Sequence, residues 1–301
     1  MNIQKVQSIA VIGLGSMGMG AAKSCIKAGL DVYGVDLNTD ALAELKNAGA
    51  VDISHNCADF AADLDAILLL VVNAKQAKSV LFENGLADKL RPGTAVMVSA
   101  TISADDAKNI EAKLAESELI MLDAPVSGGA VKACQGEMTI MASGSEEAFI
   151  KLQPVLNATA GKVYNIGSEI GMGATVKIIH QLLAGVHIAA GAEAMALAAR
   201  ANIPLDLMYD VVTNAAGNSW MFENRMKHVV EGDYTPASMV DLFVKDLGLV
   251  ADTAQGLKFP LPLASTALNM FTSASNAGYG QEDDSAVIKI FDGIELPKKE
   301  K

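Results

Sequence analysis

Positive charge is what this sequence is short of. Lys and Arg number 23 against 35 Asp and Glu, a net charge of −12 over 301 residues. Such a chain neutralises no phosphate backbone, so neither a nucleic-acid nor a membrane partner is expected. A small anionic substrate is not excluded, because its site needs only local positive charge. Cysteine is scarce too: Cys25, Cys57 and Cys134 are odd in number and follow no spacing. That excludes a disulfide framework and fits reduced thiols in a cytoplasmic protein. Only Cys134 lies near a loop of interest, and a catalytic thiol there is the weaker reading. No secretory signal is expected, since the chain enters a strand directly after Lys5 and Gln7. Internal repeats and low-complexity segments are missing as well. What is plentiful is apolar side chain, 51% against 19% charged, in a chain long enough for two cores.

The first informative run is SIAVI at 8–12, of strand type, followed at once by Gly13-Leu14-Gly15-Ser16-Met17-Gly18 and a helical stretch to about Ala28. Gly29 ends that helix, and DVYGV supplies a second strand finishing at Asp36. Strand, glycines, helix, strand and acid in this order form a dinucleotide-binding βαβ unit. Gly13 serves the tight turn, Gly15 lets backbone approach a pyrophosphate, and Gly18 lets the helix pack on the strand. The N–H groups at the helix start face the phosphates. A carboxylate at Asp36 accepts from the ribose hydroxyls and repels a 2′-phosphate. No arginine follows it, only Leu37, Asn38 and Thr39, so NAD is favoured over NADP. The plainer alternative for Asp36 is a cap on a helix starting near Asp40.

Strand-type runs continue with DAILLLVV at 65–72, ending in Val72 and Asn73, and with TAVMV at 94–98, leading to Ser99 and Thr101. Ser103 and Asp106 predict a capping pair for the next helix. ELIMLDA, MTIMASG, a polar-rich helix and KVYNIG complete the alternation, which predicts a doubly wound parallel sheet of Rossmann type. After Gly167 strands almost vanish. We therefore expect a dinucleotide-binding domain over 1–167 and an all-α domain over 168–301, joined by one long helix. That helix, 171–200, is apolar on every side and is expected to be buried all round. It would span roughly 40 Å. Lys177, His180 or Gln181, and His187 lie along one stripe of it, a pattern that suits a cleft better than bulk water. A lysine there is costly unless paired, snorkelling or used in chemistry. The helix is long enough to suggest a membrane span, but Lys177, His180, His187 and Glu193 argue against one. DAPVSGG, Asp123 to Gly129, offers Ser127, Gly128 and Gly129 as a concave anion site or as a simple tight turn. The tail PKKEK is expected to fray.

Four runs in this order resemble the β-hydroxyacid dehydrogenase family: GLGSMG (Gly13–Gly18), DAPVSGG, GMGATVK (Gly171–Lys177) and the KDLGL run from Lys245. The resemblance spans essentially the whole chain. It implies an NAD-dependent oxidation of a short hydroxyacid, with no metal. By that likeness Lys177 is the catalytic acid/base, and Ser127, Gly128 and Gly129 hold the substrate carboxylate. Lys245, supported by Asp246 and beside Phe243, belongs at the nicotinamide end of the cofactor. Gly13, Leu14, Gly15, Ser16, Met17, Gly18, Asp36, Val72, Asn73 and Thr101 complete the cofactor set. Asn218 and Trp220, in GNSW, resemble family residues near the substrate, as Asp284 does less closely; Trp220 could equally be interdomain core. Two departures matter. Where the family usually has asparagine three residues after the lysine, this chain has His180, which could hold an extra hydroxyl or share the proton relay. Val98 and Ala100 replace the usual Asp and Ser before Thr101. The histidine points to a polyhydroxylated sugar acid; another short hydroxyacid and a catalytically silent NAD-binding module are the alternatives. The apolar helical half predicts a homodimer or homotetramer.

Overall fold

Glycine turns and short apolar runs set the alternation in the first half of the chain, and a computed structural model describing residues 6–299 displays it. In order come β1 (Ser8–Ile12), α1 (Ser16–Lys27), β2 (Asp31–Val35), α2 (Thr39–Asn47), β3 (Asp52–Ser54), β4 (Ala66–Leu69), α3 (Ala74–Lys78), β5 (Ala95–Val98) and α4 (Ala104–Glu116). There follow β6 (Ile120–Asp123), β7 (Val126–Ser127), α5 (Gly129–Gln135), β8 (Met138–Gly144), α6 (Glu146–Thr159) and β9 (Ala160–Gly167). The strands lie in the order β3-β2-β1-β4-β5-β6-β8-β7, with β9 pairing on β8. From β3 to β6 every pairing is parallel. This is the doubly wound dinucleotide order, whose direction of winding reverses between β1 and β4. β4 and β5 are buried along their whole length, as strands covered by helices on both faces must be. One apolar core lies on each face of the sheet.

The far edge departs from the expected parallel sheet. β8 runs antiparallel to both β6 and β7. The seven-residue α5 between β7 and β8 is about 10 Å long, too short to carry the chain back along the sheet for a parallel return.

The remaining elements are helical: α7 (Met172–Arg200), α8 (Leu205–Thr213), α9 (Trp220–Glu231), α10 (Val240–Gly256), α11 (Pro262–Ala274) and a 3₁₀ turn over Asp284–Ile290. They enclose a third core around Ile188, Met195, Met226, Phe243 and Phe271. The chain divides into two compact units, up to Lys177 and from Ile178. The division falls inside α7 rather than before it, because the first turn of α7 is bonded to Asp123 at the end of β6.

α7 is not buried all round. Ile179, Leu183 and Leu197 are 57%, 53% and 69% exposed, whereas Ile188, Ala192 and Met195 are fully buried. The helix is apolar and long enough to cross a membrane by length and composition, yet half of its most apolar window is buried inside the protein. The tail does not fray over its described part: Pro297, Lys298 and Lys299 lie against Gly232, and Lys299 pairs with Asp233 at 2.6 Å. Residues 300–301 of PKKEK lie outside the described residues.

Candidate active site

Each glycine of the first loop has a distinct steric reason. Gly13 has φ +91°, and a Cβ there would lie 2.6 Å from the Leu70 carbonyl oxygen. A Cβ on Gly18 would lie 1.7 Å from the Gly13 oxygen, so helix and loop can close only on glycine. Gly15 faces open space and is the N-cap of α1, with no side chain capping the helix and no acid in its first turn. The orphan N–H groups of Ser16, Met17 and Gly18 thus meet neither a protein acceptor at the cap nor a repelling carboxylate, a cradle fit for a pyrophosphate.

Asp36, one residue past β2, is tied into the same loop. Its Oδ2 accepts from Leu14 N–H at 2.5 Å and its Oδ1 from Asn38 N–H at 2.8 Å. The cap of α2 is Asn38, which accepts from the N–H groups of Asp40 and Ala41, so Asp36 does not serve there. Leu14 spends its own N–H on Asp36 and is buried, so it places the carboxylate. Asn73 caps α3 through Gln76 N–H, while exposed Val72 donates its N–H to the Gln76 side chain. Thr101 is half-buried beyond β5, beside Ser99, whose hydroxyl is held by the Ala124 carbonyl.

Gly128 and Gly129 both take positive φ, +136° and +72°, and a Cβ on Gly129 would meet nothing within 4 Å. Ser127 ends β7 half-buried immediately before them. Asp123, at the head of this loop, is fully buried. Its Oδ2 accepts from Gly171 N–H at 3.0 Å, Ala174 N–H at 2.9 Å and the Ser143 hydroxyl at 3.3 Å. Burial raises its carboxyl above the ordinary 3.8, and the N–H donors oppose that rise. Gly171 and Gly173 bring backbone close to this acid. A Cβ on Gly173 would lie 2.5 Å from the Met141 oxygen and 2.8 Å from the Asp123 oxygen. Lys177, on the next turn of α7, is 6% exposed.

In the helical unit a second polar group assembles. Asp246 is 2% exposed and accepts from Gln181 Nε2 at 2.5 Å, while Lys245 Nζ stands 2.9 Å from its other oxygen. Gln181 is buried, and its Oε1 lies 3.0 Å from His180 Nδ1. The polar stripe of α7 therefore does not share one environment: Lys177 and Gln181 are buried, His187 is half-buried and His180 is exposed. Phe243 is a core residue here, stacked on Phe271 at 5.1 Å. Asn218 braces the α8–α9 turn through Thr213 and Glu223. Trp220 is 55% exposed, so it does not pack as core. Asp284 is fully buried with Arg225 Nε 2.7 Å away; burial lifts its carboxyl to about 7. The two buried thiols, Cys25 and Cys57, are pushed up to about 12 by burial. Among the described residues no group of three or more His, Cys, Asp or Glu could hold a metal ion.

Sequence reasoning passed over Asp123 and Ser143 as supports, and offered Gln181 only as an alternative to His180 on the polar stripe of α7. The acid closing a strand ahead of a Pro-Val-Ser-Gly-Gly turn was a usable signal for Asp123. For Gln181 the stripe marked the residue but nothing marked its partner, 65 residues away.

A dinucleotide-binding sheet carrying a glycine cradle and ribose acid, followed by a helical unit in which half-buried Lys245 pairs with buried Asp246, defines an NAD-dependent oxidoreductase. Residues 8–167 match the NAD binding domain of 6-phosphogluconate dehydrogenase, and residues 171–291 match the NAD-binding domain of NADP-dependent 3-hydroxyisobutyrate dehydrogenase. The chain belongs to the 3-hydroxyisobutyrate dehydrogenase-like family of hydroxyacid dehydrogenases. It is 75% identical over 293 residues to an L-threonate dehydrogenase of Haemophilus influenzae, covering 97% of each chain. An L-threonate dehydrogenase of Cupriavidus necator is 55% identical over 294 residues, covering 97% of this chain and 99% of that one. A crystal structure named 3-hydroxyisobutyrate dehydrogenase, from Salmonella typhimurium, is 68% identical with a TM-score of 0.92, over 94% of this chain and 99% of that one.

Proposed function

We propose that this protein oxidises L-threonate to its 2-oxo acid, 2-dehydro-L-erythronate, with NAD. The observation that carries this reading is the 75% identity, over 97% of both chains, to an L-threonate dehydrogenase. NAD supplies the acceptor for the hydride that leaves the carbinol carbon. Gly13, Gly15, Ser16, Met17 and Gly18 would cradle its pyrophosphate, Asp36 its adenosine ribose, and Val72, Asn73, Thr101 and Lys245 would line its remaining length. Ser127, Gly128 and Gly129 receive the substrate carboxylate. Lys177 Nζ, in its neutral form, takes the hydroxyl proton as the carbonyl forms, and returns it in the reverse direction. His180 meets a further hydroxyl of the substrate, as a four-carbon sugar acid requires. Its position supports that role, with Gln181 behind it at 3.0 Å. Asn218 and Trp220 are second-rank candidates for the substrate, since Asn218 is engaged in a turn. The reading includes a cytoplasmic homodimer or homotetramer; the apolar exposed face on α7 supports the association.

The test is a panel of acids, L-threonate, D-threonate, glycerate and 3-hydroxyisobutyrate, assayed with NAD and NADP side by side. L-threonate with NAD should give the highest kcat/KM. The Salmonella structure's name makes 3-hydroxyisobutyrate the competing substrate, and a preference for it would overturn the proposal. NADH binding with no oxidation of any acid would instead favour a silent NAD-binding module.

A further inference from the structure

Asp246, Gln181 and His180 form a chain of hydrogen bonds in which each member dictates the state of the next. Asp246 is paired with Lys245 and, as a carboxylate, only accepts. The Gln181 group 2.5 Å from it must therefore be the amide NH₂. That leaves the Gln181 carbonyl oxygen facing His180 Nδ1 at 3.0 Å, and a carbonyl oxygen only accepts. So Nδ1 must carry the hydrogen. In a neutral imidazole the other nitrogen, Nε2, is then the acceptor. Packing keeps the chain in register: a Cβ on Gly185, one turn beyond Gln181, would lie 2.9 Å from the Leu247 side chain. Glycine at 185 thus lets α10 approach α7 closely enough for the Gln181 amide to reach Asp246. Both are buried, 8% and 2% exposed, so water competes weakly for either bond.

We infer that Gln181 is a positioning residue that holds His180 in the Nδ1–H tautomer, so that Nε2 accepts a hydrogen bond from a substrate hydroxyl. The substrate half of this inference rests on the L-threonate reading; the tautomer half does not. It assigns the discrimination between polyhydroxylated and simpler hydroxyacids to a buried amide that need not touch the substrate. It also explains why histidine serves at 180: with Nε2 as acceptor, it fits a hydroxyl that donates.

Long-range ¹H–¹⁵N correlation spectra of the full chain, at a pH roughly two units above the ordinary histidine value, read the tautomer directly. The chain has four histidines, and His180→Asn identifies the resonance. His180 should be in the Nδ1–H form, and Gln181→Leu should shift it toward Nε2–H. An Nε2–H form in the unaltered protein, or an Nδ1–H form unchanged by Gln181→Leu, overturns the inference; if Gln181→Leu does not fold, the unaltered protein decides alone. In kinetics Gln181→Leu should lose about tenfold in kcat/KM for L-threonate, one hydrogen bond's worth. Its kcat/KM for 3-hydroxyisobutyrate should fall severalfold less than that for L-threonate. Equal losses for both acids would mean a merely structural role and would also overturn it. Failure of the unaltered protein to oxidise L-threonate defeats the functional reading and leaves the tautomer measurement to decide this one.

Discussion

Asp36→Ala addresses the cofactor half of the site. Each carboxylate oxygen of Asp36 already takes one backbone N–H, from Leu14 at 2.5 Å and Asn38 at 2.8 Å. A carboxylate has about four acceptor positions, so two remain for a ribose diol. Hydrogen bonds to a charged group contribute about 1.5–3 kcal/mol. At about 1.36 kcal/mol per tenfold, the loss of even one of the two corresponds to a rise of roughly 10- to 150-fold in the Kd for NADH. The same change removes the charge that repels a 2′-phosphate, so NADPH should lose far less or gain. Adding an arginine at Leu37, which is 87% exposed, should then favour NADPH. Asp36→Asn keeps one oxygen for the Leu14 N–H but loses the charge and the acceptor for the Asn38 N–H, so it retains part of the loop support without the carboxylate. Fluorescence titration with NADH and NADPH reads all four proteins. An unchanged ratio of the two affinities in Asp36→Ala would show that the ribose lies elsewhere.

Three further outcomes are expected. Lys177→Ala should lower turnover by roughly 10²–10⁴ with little change in NADH affinity, and near-normal turnover would remove Lys177 from its role. Asp123→Ala orphans the buried N–H groups of Gly171 and Ala174, at about 1–3 kcal/mol each. Asp123→Asn, whose amide oxygen still accepts, should cost much less; urea melts showing equal losses would mean that Asp123 does not anchor α7. Asp284 has its carboxyl raised from an ordinary 3.8 to about 7 in the folded chain by burial, with Arg225 opposing. A raised value means that its contribution to stability is full below the unfolded value and is lost as pH rises through the folded one. Asp284→Asn should therefore flatten the fall in stability between about 4 and 7, and an unaltered slope in melts across that range would refute the assignment.

The sheet was legible because its signals are local. SIAVI, the glycines and DVYGV sit within one βαβ unit, and the reasons for Gly13 and Gly18 are contacts inside that unit or with its neighbouring strand. The reversed direction of β8 was not legible, since a strand carries its burial pattern in sequence but not its partner's direction. Nor was the exposed face of α7: Ile179 and Leu183 are as apolar as Ile188, and only packing separates them. Trp220 left two environments open for the same reason, and in the structure it is 55% exposed.

By itself, then, the order of residues determined the nucleotide-binding architecture and its family, because steric demands on glycine and the pairing of short apolar runs act over a few residues. It also supplied Lys177, His180 and Asp246 as chemical types. Only the tertiary structure decided how those types are set. Asp123 holds the start of the lysine's helix from 48 residues away, and Gln181 joins Asp246 to His180 across two helices. Hydrogen-bond direction passes through such contacts, and they exist only once the helices have packed.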